Sequence, residues 1–283
     1  MPWRLESGAP SISLFERHDL KVQLLGTAAA DGWPNPFCTC VSCEDSRLKG
    51  VIRSQSSALI DERLLIECGP ELPRNAERHR VLLNEIEHLV VSHGHWDHSS
   101  GIPLLIRQWA KVDAPLNVIA PPLTLRSLQQ WVSSDSQVEW IEALPFRPIA
   151  LGEYVVVPLL ANHESFGEAG ILPLITDGDS YVLWATDTGP LPDETIRALS
   201  THPLDLIFLD ETWGELSGPH SDHLNLNSFR EAISQLRDCG AITTKTHISP
   251  IHMSHRNPPT QILQEKISQM GAKLPFDGDV IRL

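Results

Sequence analysis

The chain has 283 residues, with 22 Lys and Arg against 36 Asp and Glu, for a formal charge of −14. That length leaves ample material for a buried core, and 41% hydrophobic with 20% charged residues is the balance of a folded protein, not of a disordered or fibrous one. The acidic excess argues against long nucleic acids as partners, because binding through phosphate charge needs clustered Lys and Arg.

Residues 1–19 read as an irregular lead-in without an apolar secretory core, and no apolar run approaches the ~18 to 20 residues of a membrane span, so cytoplasmic residence with no membrane partner is expected. LKVQLLGT (20–27) alternates and ends on Gly, as a strand entering a tight turn does. AAADGWPNPFCTCVSCEDS then reads as an ordered loop. SSALIDE and RLLIECG make a hairpin turning near Asp61 and Glu62, followed by a helical stretch from about Pro73 to Asn84. IEHLVVSH is a buried strand, 98–111 a helix, LNVIAP a strand and PLTLRSLQQWVSS a helix opened by proline. The runs QVEWIEAL, YVVVPLLANH, GILPLITDGDSYVLWATDTG and LDLIFLDET are strand-rich. NLNSFREAISQLRD is a helix, AITTKTHIS a strand, PPTQILQEKISQM a helix and DVIRL a last strand. The order favours two packed sheets with helices outside, and no repeat or linker divides residues 1–283 into separate domains.

His93-Gly94-His95-Trp96-Asp97-His98 places three imidazoles and a carboxylate within six residues, directly after a buried strand. Residues two apart on a strand share a direction, and a turn redirects the next pair, so one segment can serve two ligand sets. Imidazole and carboxylate suit zinc, manganese or iron. This segment resembles the metallo-β-lactamase fold hydrolases, whose signature is H-x-H-x-D-H after a strand. Leu25-Gly26-Thr27 is similar to their first-strand turn, His163 in ANHES to the third histidine, Asp187 in WATDTG to the bridging aspartate and His247 in KTHIS to the last histidine. The resemblance implies an α/β fold, a four-layer αββα sandwich. It also implies one ion on His93, His95 and His163, a second on Asp97, His98 and His247, and Asp187 between them. Two such ions ~3.5 to 4 Å apart can share a hydroxide that attacks an ester or phosphate, with Asp97 orienting it.

Cys38, Cys40 and Cys43 form a C-x-C-x2-C clip, a spacing suited to a closed structural zinc site with one further ligand. The clip resembles that of the cyclic phosphodiesterase branch of the superfamily, from the carbon-phosphorus lyase pathway, where the fourth ligand is a histidine three residues beyond the last catalytic one. Three residues after His247 stands Pro250, so His252 or else His255 would complete the clip. Cys68 and Cys239 read as core residues. His223, in PHSDHLN, is similar to a non-ligand histidine of that branch and could donate a proton to a leaving alkoxide; the alternative is that Asp222 or Asn225 caps the next helix with His220 and His223 on the surface. Glu67 stands where many relatives carry aspartate, which alters any hydrogen bond to a metal-binding histidine. Trp33, Trp96 and Trp213 are candidates for lining a pocket.

Together these features lead to the expectation of a dinuclear metal-dependent hydrolase of small phosphodiesters, cyclic ones included. The runner-up is a lactone, thioester or carboxylic ester hydrolase. An RNA-processing nuclease is disfavoured by charge. A non-catalytic metal-binding protein of cofactor biosynthesis is the different class, and a homodimer is compatible with all of them.

Overall fold

The computed structural model describes residues 19–217 and 222–283; His220 lies outside them. Strand β1 (Lys21–Gly26) leads to α1 (Val41–Lys49), β2 (Ser57–Ile60), β3 (Leu64–Ile66), α2 (Leu72–Arg78), β4 (His88–Val90), α3 (Ile102–Trp109), β5 (Leu116–Ala120), α4 (Pro122–Gln129) and β6 (Val138–Glu142). There follow β7 (Ile149–Leu151), β8 (Tyr154–Ser165), β9 (Glu168–Thr176), β10 (Tyr181–Ala185), α5 (Asp193–Leu199), β11 (Leu206–Asp210), α6 (Leu226–Asp238), β12 (His247–Ile251), α7 (Thr260–Gln269) and β13 (Val280–Arg282).

Seven strands form one sheet in the order β13-β1-β2-β3-β4-β5-β6, and six form a second in the order β12-β11-β10-β9-β8-β7. Strands β3 to β6 run parallel, as do β10 to β12, while the other neighbours are antiparallel. Alternation assigns each strand residue to one of two buried faces. On β11, Leu206 and Phe208 enter the core between the sheets, with Val22, Ile66, Val90 and Trp184. Ile207 and Leu209 face outward, beneath Phe229, Ile233 and Leu236 of α6 and Leu263 and Ile267 of α7. On the other side, Leu59, Leu65 and Val118 pack under Leu72, Leu104 and Leu125 of α2, α3 and α4. Two sheets between two helical layers result, the αββα sandwich expected. Burial on both faces explains why LDLIFLD is a nearly continuous apolar run, and each fully buried Leu, Ile or Phe there stabilises by ~1.5 to 3 kcal/mol.

Two local readings differ from the sequence expectation. The Cys-rich loop turns into α1 at Val41, because the Cys40 side chain caps the helix by accepting from the Cys43 N–H. The strand expected over AITTKTHIS begins only at His247 and runs through Pro250 to Ile251. A proline inside a strand is tolerated here because β12 is an edge strand, where the missing N–H faces no neighbour.

Candidate functional site

The C-terminal ends of parallel strands from both sheets meet at one rim. Glu67 follows β3, the segment 93–98 follows β4, Asp187 follows β10, Asp210 ends β11 and His252 follows β12. His163 comes from β8, at a break in the β8–β9 register between Leu160 and Glu164, which re-aims its side chain. Glu67, Asp187 and His252 have φ of 67°, 48° and 59°. A non-glycine residue in this region costs of order 1–3 kcal/mol and persists only where its surroundings hold it. These three of the nine non-glycine residues with positive φ among the described residues lie together at the rim.

Two sets of donors converge there, and His223 also groups with Asp187 and His252. In the first, His95 Nδ1 lies 3.0 Å from both His93 Nε2 and His163 Nε2. In the second, His98 Nε2 lies 3.2 Å from His252 Nε2 and 3.1 Å from Asp97 Oδ2. Asp187 joins them: Oδ1 is 3.8 Å from His93 and His163 Nε2, while Oδ2 is 3.0 Å from His98 and 3.3 Å from His252 Nε2. Zinc–nitrogen bonds of ~2.0 to 2.1 Å in a tetrahedron put neighbouring donors ~3.3 Å apart, so the spacing fits divalent ions.

The opposite ring atoms are tied down. His163 Nδ1 donates to the Asp222 carbonyl at 3.1 Å, and His252 Nδ1 donates to Thr212 Oγ1 at 2.9 Å, which in turn donates to Asp210 Oδ2 at 3.0 Å. These bonds leave the Nε2 lone pairs facing the site, the tautomer a metal requires. His98 Nδ1 faces Glu67 Oε1 at 3.5 Å, a charge contact without a formed hydrogen bond. Glu67 is held by the Trp184 indole N–H and the Ser92 N–H, each at 3.2 Å.

Burial and charge set the protonation of the site. Burial pushes the His93 imidazole well below its usual range, keeping it neutral. Burial opposes charge on Asp97 and Asp187 as well, but the surrounding histidines outweigh it and hold both carboxyls well below the carboxylate range. Around His98, Asp187, Asp97 and Glu67 overcome burial and raise the imidazole. His223 is also raised against burial, to about 9, by Asp210, whose Oδ2 accepts from Nδ1 at 2.9 Å. His223 Nε2 then lies 3.9 Å from Asp187 Oδ1, at the edge of the first set.

Cys38, Cys40, Cys43 and His255 form a third cluster. His255 Nδ1 lies 3.2 Å from Cys38 Sγ and 3.7 Å from Cys40 Sγ, and its Nε2 faces Asp31 at 3.5 Å. Hydrogen bonds from His255 and the Cys43 N–H overcome burial and lower the Cys40 thiol to about 6. Three sulfurs and an imidazole suit a closed tetrahedral zinc site.

A family model described as a beta-lactamase superfamily domain matches residues 62–253, more than half of the chain and all of the two donor sets at the rim. The chain belongs to this superfamily. It is 21% identical to a coenzyme PQQ synthesis protein B of Acinetobacter baylyi over 93% of this chain and 99% of that one. Its fold is similar to that of a diphosphatase from the PhnP family, with TM-score 0.74, 23% identity and coverage of 94% and 98%. Zinc-bound PqqB from Methylobacterium extorquens superposes with TM-score 0.73 at 18% identity, covering 93% and 100%.

Within this superfamily fold, His93, His95, Asp97, His98, His163 and Asp187 come together as the motif implied. His247 does not. It starts β12, opposite Leu206, so five strand residues of ~3.3 Å each separate it from the rim, and it is exposed. His252, expected in the clip, takes its place, and His255 completes the clip. The three-residue spacing of the related branch is thereby restored, counted from His252. Asn225 caps α6 with a capping box, so His223 is free to turn inward. Asp210 and Thr212 were not singled out in the sequence, although Asp210 closes an apolar strand just as Asp187 nearly does. Trp33 is in the core, Trp213 packs edge-on to His223 at 5.6 Å between centroids, and Trp96 is 57% exposed beside the site. Among the described residues no helix is long and apolar enough to cross a membrane.

Proposed function

We propose that the chain is a dinuclear metal-dependent hydrolase of small phosphodiesters. The observation that carries this reading is the Asp210–His223 pair, a charged imidazole whose Nε2 borders the two donor sets. A thioester expels a stable thiolate and needs no such acid, whereas expulsion of an alkoxide from phosphorus does. The diphosphatase neighbour, a phosphorus-centred hydrolase, supports the same class.

His93, His95 and His163 would hold one ion, Asp97, His98 and His252 the other, and Asp187 would face both. Bound divalent ions would supply an activated water and offset charge on the phosphoryl oxygens. The residues themselves position and move protons. Asp97, ionised beside His98 and His252, offers a carboxylate to orient the incoming water. As the P–O ester bond breaks, the departing oxygen takes the proton from His223 Nε2. Asp210 stays ionised and keeps Nδ1–H directed at itself, so the ring presents Nε2 to the leaving group. The clip, with zinc on Cys38, Cys40, Cys43 and His255, would brace the loop that leaves β12 three residues beyond His252.

Protein freed of metal and reloaded with zinc or manganese provides the test, with bis(p-nitrophenyl) phosphate, a 2′,3′-cyclic nucleotide, a lactone and a thioester compared side by side. The phosphodiesters should give the higher kcat/KM, and His95→Ala should abolish it. Faster lactone or thioester turnover would instead establish the acyl hydrolase. The PQQ synthesis protein B relatives, matched over nearly their full length, favour a second reading, a role in making a cofactor; metal saturation without turnover of any of the four substrates would select it.

A further inference from the structure

Strands β8 and β9 are joined by only two residues, Phe166 and Gly167, with Ser165 paired to Glu168 across the turn. Both linking residues have positive φ, 55° and 76°, as in the tight hairpin turn whose twist matches that of its flanking strands. Such a turn favours Asn-Gly, because asparagine tolerates the left-handed region far better than a bulky side chain does. Phe166 is also 62% exposed. A single exposed apolar residue is ordinary, but one held in a backbone region that disfavours it is not. The hairpin itself does not call for this side chain.

The turn is nevertheless held firmly in place. The buried Ser165 Oγ accepts from the Gly94 N–H at 2.8 Å. On the other strand the Glu168 carboxylate accepts from the Leu123 N–H at 3.0 Å and the Thr124 N–H at 3.4 Å, at the start of α4. The Phe166 ring is thereby laid on Gly94, where a Cβ would run into its Cδ2 and Cε2. Gly94 stands between the donors His93 and His95, and of the first donor set it is His95 that reaches solvent. The ring therefore borders the open side of that set. Trp96, 57% exposed, follows His95 directly and adds a second aromatic side chain to this edge. His223, the donor to the leaving oxygen, lies instead against His163 and His252, with ring centroids 4.9 and 5.4 Å away. A departing group at the His223 end leaves the His95 end to the group that stays on phosphorus.

We propose that Phe166 is a specificity-determining residue: its ring is a wall of the site, and the substrate carries a planar aromatic group, on the ester oxygen that is not expelled, which stacks against it. The proposal rests on the phosphodiesterase reading and narrows it from any small phosphodiester to one with an aromatic retained group. A divalent centre binds phosphoryl oxygens alike whatever that group is; the ring supplies the choice.

Phenyl p-nitrophenyl phosphate and methyl p-nitrophenyl phosphate both release p-nitrophenol and differ only in the group retained. With the metal-loaded full chain, KM should be at least tenfold lower for the phenyl ester, the scale expected for covering an aromatic ring. In Phe166→Asn the two KM values should come within threefold of each other, with metal content unchanged and Tm no lower, because Asn suits the turn. Phe166→Leu, which keeps an apolar side chain on Gly94 without a ring, should lose the preference too. Phe166→Tyr should retain it, as should Trp109→Ala, which removes an exposed ring from α3. Equal KM values in the unsubstituted protein, or a preference that survives in Phe166→Asn or Phe166→Leu, would overturn the proposal and leave the phosphodiesterase reading intact. A Tm several degrees lower in Phe166→Asn, showing that the ring serves packing, would overturn it as well. Failure to turn over either probe would instead refute the phosphodiesterase reading, and calorimetry with diphenyl phosphate and dimethyl phosphate on the metal-loaded chain then decides the wall. Tighter binding of diphenyl phosphate that Phe166→Asn loses upholds it; tighter binding that persists in the variant, equal binding or none overturns it.

Discussion

Replacing Asp210 by Asn isolates the proton donor. Asp210 Oδ1 accepts from the Leu224 N–H at 2.8 Å and the Thr212 N–H at 3.2 Å, and Oδ2 from His223 Nδ1 and Thr212 Oγ1. The two backbone donors keep the amide oxygen of Asn at the Oδ1 position, so its NH2 meets His223. An NH2 cannot accept from Nδ1–H, and the largest charge raising the imidazole to about 9 is gone, leaving Asp187 and Asp222 to work against burial. The imidazole then falls toward its ordinary value of ~6.5. At that value the protonated fraction at pH 8 would be ~3% against ~90% before, a loss of up to ~30-fold, whereas at pH 6 it would change less than ~2-fold. For a 2′,3′-cyclic nucleotide, whose leaving group is an alkoxide, kcat should therefore fall by up to ~30-fold at pH 8 and hardly at pH 6. Bis(p-nitrophenyl) phosphate, which expels a stable phenolate, should lose much less. The same raised pKa links to stability of the metal-free protein: the His223 contribution, about 3 kcal/mol, is fully present below pH ~6.5 and disappears as pH rises through ~9. Equal losses on both substrates, or a His223 that titrates near 6.5 by NMR in the unsubstituted metal-free protein, would refute the reasoning.

Metal analysis after reloading should find fewer ions in His252→Ala and the full complement in His247→Ala, which would also retain turnover. Cys38→Ser or His255→Ala should each lose one zinc per chain and lower Tm by at least about 5 °C, since a closed zinc site contributes directly to folding. Gly69→Ala should disturb the second donor set, because its Cβ would lie 2.1 Å from the Asp97 carbonyl oxygen; metal affinity measured with a competing chelator should fall by ~10-fold or more, as for disturbed metal shells. Burial holds Glu211 well above the carboxylate range, outweighing the hydrogen bonds of Asn257 and the Gly214 N–H, which pull it down. Its raised pKa means that stability present below pH ~4.5 is lost as pH rises through the folded-state value, so thermal melts should show Glu211→Gln gaining on the unsubstituted chain at pH 8 and not at pH 4.

What the sequence made legible follows from how locally each feature is encoded. His93 to His98 are contiguous, and their chemistry is visible in six letters. The layers were also legible, because burial on both faces of LDLIFLD or YVLWA leaves an unbroken apolar run whatever the topology. His247 and His252 could not be separated that way, since both flank the same short apolar stretch, and what decides between them is the end of β12 at which the parallel strands finish. A proline such as Pro250 interrupts a strand inside a sheet but not at its edge, where β12 lies. Asp210 shows a different limit. It is a single acid at the end of a strand, and only the fold brings it from one sheet to His223 thirteen residues on, with Thr212 linking both to His252. Phe166 is less visible still, because Phe-Gly after a strand looks like any turn until its ring is placed on Gly94. The site is thus written in two ways: ligands as a motif, and the residues that charge, orient and select as positions at strand ends and turns, which acquire meaning only when parallel strands from two sheets finish at one rim.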